Sequence, residues 1–162
     1  KDHTRQHLEK ICDGALGPIC GIILVTGAGG MFGGVLRASG IGDALAGVLA
    51  DTGLPIIVAA FVISTALRVA QGSATVALTT TAALIAPMVQ ATPGLSQFDL
   101  CFIVIAIAGG ATVLSHVNDS GFWLVGRFLE MDEKTTLKTW TVMETLLGTI
   151  AFLLALVGRL IL

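Results

Sequence analysis

Tyrosine is absent from these 162 residues, and charged side chains make up only 12% of them, against about 25% in an ordinary soluble domain. The missing tyrosine removes the general base that short-chain dehydrogenases require. The net charge of −2 and pI near 5.8 give no basic footprint for nucleic acid, and a solvated acidic tail is missing as well. Cysteine is sparse too: Cys12, Cys20 and Cys101 share no CxxC spacing, so neither a disulfide framework nor a zinc site is indicated, and they read as apolar filler. Signal-peptide architecture and lipidation motifs are lacking, and the chain opens on Lys1 in a polar stretch, so it reads as a piece of a longer protein.

What is present is apolar length. Hydrophobic residues account for 54%, mean hydropathy is +0.90, and two stretches carry no formal charge: 23 residues from Gly14 to Leu36 and 30 from Val69 to Phe98. About 20 residues cross the hydrocarbon, so the composition predicts an all-α polytopic membrane protein with the lipid bilayer as its main partner. Four or five membrane elements do not enclose a substrate by themselves, which calls for further helices or a second protomer in a homo-oligomer.

In chain order, residues 1–13 form a charged, helix-compatible lead, with His3 and His7 four apart. No third ligand stands at good spacing, so no metal is expected. Residues 14–36 read as a first crossing interrupted by Gly27, Gly29, Gly30, Gly33 and Gly34. The run Ile22 to Gly33 imitates a strand followed by TGxxGxxG. A dinucleotide fold would need βα alternation after it, and none is legible. Close helix packing and local unwinding are the two remaining readings of those glycines.

Residues 37–53 read as an interfacial connection. Residues 54–90 contain two apolar arms, Leu54 to Ala66 and Val76 to Val89, around Arg68-Val69-Ala70-Gln71-Gly72-Ser73-Ala74-Thr75. Arms of about 13 residues rise about 20 Å, which suits a re-entrant helical hairpin better than two full spans. Arg68 is costly there, by about 2.5 to 3.5 kcal/mol on insertion scales. Attraction of an anion, pairing with an acid and snorkelling to water are its three readings. Gly72, Ser73 and Thr75 stand where a helix N-terminus offers free N–H groups to an anion, with plain helix capping as the other reading of the two hydroxyls, whereas Thr79, Thr80 and Thr81 are expected to bond the preceding turn.

Residues 99–128 read as a second interrupted crossing, broken at Gly109-Gly110 and followed by the densest polar cluster, Ser115-His116-Val117-Asn118-Asp119-Ser120-Gly121. His116 and Asp119 are three apart and form a candidate titratable pair. A buried hydrogen-bond network is the competing reading. Residues 129–138 read as a charged loop and 139–162 as a last span, amphipathic where Glu144 lies. Lys1, Arg5 and Lys10, with Arg127, Lys134 and Lys138, outnumber Arg37 and Arg159 on the opposite side. This places 1–13 and 129–138 in the cytoplasm and the carboxyl end in the periplasm.

The segments Ala15-Leu16-Gly17-Pro18-Ile19, Thr26 to Gly33, Ala66 to Ala77 and Ser115 to Trp123 together resemble the gluconate permease family, proton-coupled symporters of bacterial inner membranes. The resemblance covers nearly the whole chain as the C-terminal part of a longer transporter. It implies the second of two inverted repeats in the manner of the ion-transporter superfamily, each with a re-entrant hairpin and a broken transmembrane helix. Gluconate or a related sugar acid is then the expected substrate, with D-serine or another hydroxy-carboxylate as the alternative within the family. The expected substrate-binding residues are Arg68, Gly72, Ser73, Thr75, Asn118 and Ser120. Asp119 and His116 are the expected proton-coupling residues, and the coupling ion is H+, with Na+ as the variant and no cofactor. A non-transporting scaffold and a dinucleotide-binding enzyme are the readings from other classes.

Overall fold

A computed structural model describes residues 5–39 and 53–161, and every regular element among them is helical. Helix α1 is Arg5–Ala38, one uninterrupted run of 34 residues. The segments expected as polar lead and first crossing are thus one helix over the described residues. The backbone remains helical through Pro18 and through Ile22 to Gly33, so no strand precedes the TGxxGxxG pattern and the glycines do not unwind the chain. Most of the expected connection at 37–53, together with His3, lies outside the described residues.

Within 54–90, helices α2, Ile56–Gln71, and α3, Ala74–Ala91, pack as a helix–turn–helix pair. Their 16 and 18 residues rise about 24 and 27 Å at 1.5 Å per residue. Gly72 makes the turn: its φ of +74° is a left-handed conformation that costs glycine nothing, and its N–H returns to Arg68 O at 2.9 Å. Ser73 then caps α3, its Oγ accepting from Val76 N at 3.3 Å. Within α3, Thr79 donates back to Thr75 O at 2.9 Å as expected, whereas the buried Thr81 hydroxyl has no partner among the described residues.

Helix α4 is Gln97–Thr112, opened by a capping box in which Ser96 and Asp99 serve each other's backbone. The break that follows is not where the glycines stand. Gly109 and Gly110 are helical, and the interruption runs from Val113 to Asp119, with Leu114 left-handed at φ +54°. The two glycines serve packing. A Cβ on Gly109 would come within 2.7 Å of Gly148 O, and one on Gly110 within 2.5 Å of Phe61 O. Their missing side chains let α4 close on α2 and on the last helix.

Helix α5, Ser120–Phe128, resumes after the break. The charged loop expected at 129–138 is mostly helical. Asp132 caps α6, Glu133–Thr136, and its bonds from Thr135 hold the carboxyl below the usual carboxylate range. A π turn at Leu137–Thr141 follows, then α7, Val142–Ile161. Glu133–Ile161 is therefore a continuous 29-residue helical rod, and it and α3 are long and apolar enough to cross a membrane.

Helices α2 and α7 flank α4, α3 packs on α2 and α4, and α1 packs on α3. The apolar core joins Ile56, Ile57 and Ala60 of α2, Ile85 and Met88 of α3, Ile103, Ala106 and Ile107 of α4, and Ala155 of α7. All of these lie toward the open end of the hairpin. Phe61 stacks on Phe152 at 4.1 Å, and Arg159 pairs with Asp99 at 3.0 Å across the antiparallel α4–α7 contact. The core thus clamps one end of the bundle, and the hairpin turn is carried to the other, against the break between α4 and α5.

Candidate functional site

The hairpin turn and the break meet. A Cβ on Gly72 would strike the Asn118 carbonyl, so only glycine allows this approach. Arg68, in the last turn of α2, is 2% exposed and directs Nη2 to Asp119 Oδ2 and Nη1 to Gly72 O at 2.6 Å. Of its three readings the pair with an acid is the one the fold realises, and the turn carbonyl is gathered into it. A charge buried this deeply persists only when paired and hydrogen-bonded.

Asp119 is held on both oxygens. Oδ1 accepts from Gly121 N at 2.9 Å as the N-cap of α5, and Oδ2 accepts from Arg68 and from Ser115 Oγ at 2.5 Å. All three donors favour the carboxylate over the acid. Ser115 is itself fixed, since its Oγ accepts from Trp140 Nε1 at 2.9 Å and its carbonyl from Thr141 Oγ1.

An interrupted helix in an apolar setting must find partners for the backbone groups it frees. Leu114 N donates to Thr145 Oγ1 at 3.2 Å, Val117 O accepts from Trp123 Nε1 at 2.7 Å, and His116 O accepts from Asp119 N at 2.8 Å. At the end of α2, Val69 O accepts from Asn118 Nδ2 at 2.8 Å and meets His116 Nε2 at 3.2 Å. Side chains of the break therefore satisfy a carbonyl at the end of the hairpin's first helix.

The residues singled out from sequence are sorted by this geometry into a floor and a rim. Arg68, Gly72 and Asp119 are buried, Ser73 is half-buried, and Thr75, Asn118 and Ser120 are exposed beside the turn. His116 comes to Val69, and its side chain does not meet the Asp119 carboxylate. Ser115, Trp140, Thr141 and Thr145 belong to the site although sequence reasoning gave them no role. The signal that could have found the last two is their spacing with Gly148, at i, i+4 and i+7 along one face of the final helix. A cavity of about 520 Å³ opens alongside, walled by Phe122, Trp123, Met131 and Thr136, with Ser120 at its edge.

A buried ion pair where two interrupted apolar helices meet is the kind of site that transporters build from discontinuous helices. Residues 1–161 match the family described as GntP family permease, and the chain belongs to that membrane-transporter family. It is 46% identical over 154 residues to the low-affinity gluconate transporter of Escherichia coli K12, covering 95% of this chain and 34% of that protein. It is 37% identical over 153 residues to a gluconate permease of Pseudomonas aeruginosa, covering 94% of this chain and 33% of that protein. With a gluconate permease of Zymomonas mobilis the identity is 40% over 147 residues, covering 91% of this chain and 32% of that protein. The chain thus spans about a third of the length of these relatives. No solved structure matches it.

Proposed function

We propose that this chain is the C-terminal, substrate-binding part of a permease that imports gluconate or a related sugar acid across the bacterial inner membrane by proton symport. The observation that carries this reading is the junction itself: a buried Arg68–Asp119 pair under a rim of exposed Thr75, Asn118 and Ser120. Together with gluconate-transporting relatives along nearly the whole chain, such a junction suits a small polyhydroxylated anion. The α2–α3 hairpin enters the membrane partway, as in the ion-transporter superfamily, a reading supported by its turn at Gly72 packing against Asn118 in the interruption between α4 and α5. Residues 1–13 and 129–138 face the cytoplasm, and the carboxyl end faces the periplasm.

The substrate carboxylate sits at the N-terminus of α3, where the first N–H groups and the positive end of the helix favour an anion. Arg68 supplies positive potential from below. Thr75, Asn118 and Ser120 bond the sugar hydroxyls, and Gly72 and Ser73 shape the turn that presents them. Asp119 holds Arg68 in place, and the proton enters through a carboxyl group of the same junction.

Uptake of labelled gluconate by vesicles carrying the full-length parent protein tests this, with and without a protonophore and with unlabelled idonate and D-serine as competitors. Protonophore-sensitive gluconate uptake in sodium-free buffer is the expected result. Uptake that follows a sodium gradient instead would replace the coupling ion. Indifference to gluconate alongside competition for D-serine would replace the substrate.

A further inference from the structure

The final helix carries one acid that neither the ion pair nor the caps employ. Thr141, Glu144, Thr145, Gly148, Phe152 and Ala155 recur at the 3.6-residue period, and their neighbours show that this stripe faces inward. Thr141 bonds Ser115 O, Thr145 bonds Leu114 N, Gly148 abuts Gly109, and Phe152 stacks on Phe61. Glu144 therefore stands on the packed face between the two threonines that hold the break. It is half-buried, and its charge acts on both Arg68 and Asp119. Among the described residues none hydrogen-bonds its carboxylate.

We infer that Glu144 is the proton-binding carboxyl group of the site, and that its charge, set against Arg68 and Asp119, links the proton to the anionic substrate. The inference rests on the symport reading and names the group that carries the ion.

The charge count gives the reason. One guanidinium faces two carboxyl groups, so the trio is neutral with one proton bound and carries one negative charge without it. Asp119 is a poor acceptor for that proton, because Arg68, Ser115 and Gly121 all donate to its oxygens and protonation would cost those bonds. Glu144 has no such bonds to lose, so the proton of this trio resides there. When Glu144 is ionised, the net negative charge opposes a carboxylate arriving at the N-terminus of α3. When it is protonated that opposition is removed, and by linkage a bound anion raises the affinity for the proton. Arg68 Nε, buried and without a partner among the described residues, is the guanidinium nitrogen left over after Nη1 and Nη2 are committed.

No other charged group among the described residues acts on Glu144. His116 spends Nε2 on Val69 O. The titratable groups of α4, Asp99 and Cys101, lie at its opposite end, where Asp99 pairs with Arg159.

The test uses the full-length parent protein in proteoliposomes, with two readouts: accumulation of labelled gluconate under an imposed inward proton gradient, and gradient-free exchange of labelled for unlabelled gluconate. Wild type is expected to do both, with exchange weakening as pH rises. Glu144→Gln is expected to lose accumulation above the outside concentration while still exchanging, now independently of pH. Glu144→Asp is expected to retain accumulation with a displaced pH profile. Accumulation by Glu144→Gln at the wild-type level overturns the inference. So does loss of both activities in Glu144→Gln if Glu144→Asp keeps the wild-type pH profile; the same loss with a displaced profile in Glu144→Asp upholds it. Wild-type uptake indifferent to the proton gradient would overturn the symport reading itself, a result distinct from any variant's behaviour.

Discussion

Arg68 and Asp119 lie 51 positions apart in sequence and meet through Nη2 and Oδ2, while the other terminal nitrogen of Arg68 holds Gly72 O at 2.6 Å. One side chain thus ties the hairpin turn to the break between α4 and α5. The pair is both a structural lock and the main charge of the junction, and the two roles can be separated.

Removing one partner leaves the other charge buried and uncompensated, at a cost of about 3–5 kcal/mol. Arg68→Met and Asp119→Leu are each expected to lower the unfolding temperature of the detergent-solubilised parent protein and to abolish uptake. The double variant Arg68→Met, Asp119→Leu is expected to recover much of the stability and none of the transport. Thermal unfolding followed by fluorescence, paired with the uptake assay, reads both, and transport by the double variant would show that the charges have no part in substrate handling.

Gly72→Ala introduces two separate penalties. Its φ of +74° is disfavoured for a side chain by roughly 1–2 kcal/mol, and the new Cβ would collide with the Asn118 carbonyl. Uptake should be lost even where the protein still reaches the membrane. Wild-type uptake by Gly72→Ala would mean that the turn and the break do not meet as described.

Gly109→Ala and Gly148→Ala test the other close approach. A Cβ at Gly109 would sit 2.7 Å from Gly148 O, and one at Gly148 2.9 Å from a Val113 methyl. Overpacking of this kind costs about 1–3 kcal/mol, so each variant should lower the unfolding temperature. Combining them should cost less than the sum, because both push apart the same two helices.

Ser115→Ala removes a hydroxyl that donates to Asp119 and accepts from Trp140. An indole N–H left without a partner costs about 1–3 kcal/mol. The expected result is a lower unfolding temperature and a change in Trp140 emission, measured as the difference from a Trp140→Phe control. Unchanged emission would remove Trp140 from the network.

The hairpin can be tested by its chemistry. After replacement of Cys12, Cys20 and Cys101, Gln71→Cys places a thiol on an exposed position at the turn. A re-entrant turn predicts slow modification by a membrane-impermeant reagent and protection by gluconate. Two full spans would put the turn at the membrane surface, with fast modification that gluconate leaves unaltered.

Much of this was legible from residue order because the signals are local. Charge-free runs exceed what a crossing needs, and Arg68 next to Gly72 and Ser73 marks a turn, since a left-handed residue followed by a cap has few other uses. The position of the second break was not legible. Gly109-Gly110 is the obvious breaker by propensity, yet it remains helical because the absence of two Cβ atoms is consumed by contact with Gly148 and Phe61. Leu114, which does turn left-handed, bears no mark of it. His116 and Asp119 have the spacing of a pair, and that spacing holds on a helix; here the segment is unwound and His116 turns to Val69 instead.

Composition and the pattern of charge were enough for the class of chain, all-helical and built for lipid, and for the existence of its polar interruptions, since hydropathy and turn chemistry act over a few neighbouring residues. Which acid takes Arg68, which glycines pack rather than bend, and that Glu144 faces the same junction are facts of packing among α2, α4, the break and α7. Those contacts join residues dozens of positions apart, and no local propensity encodes them.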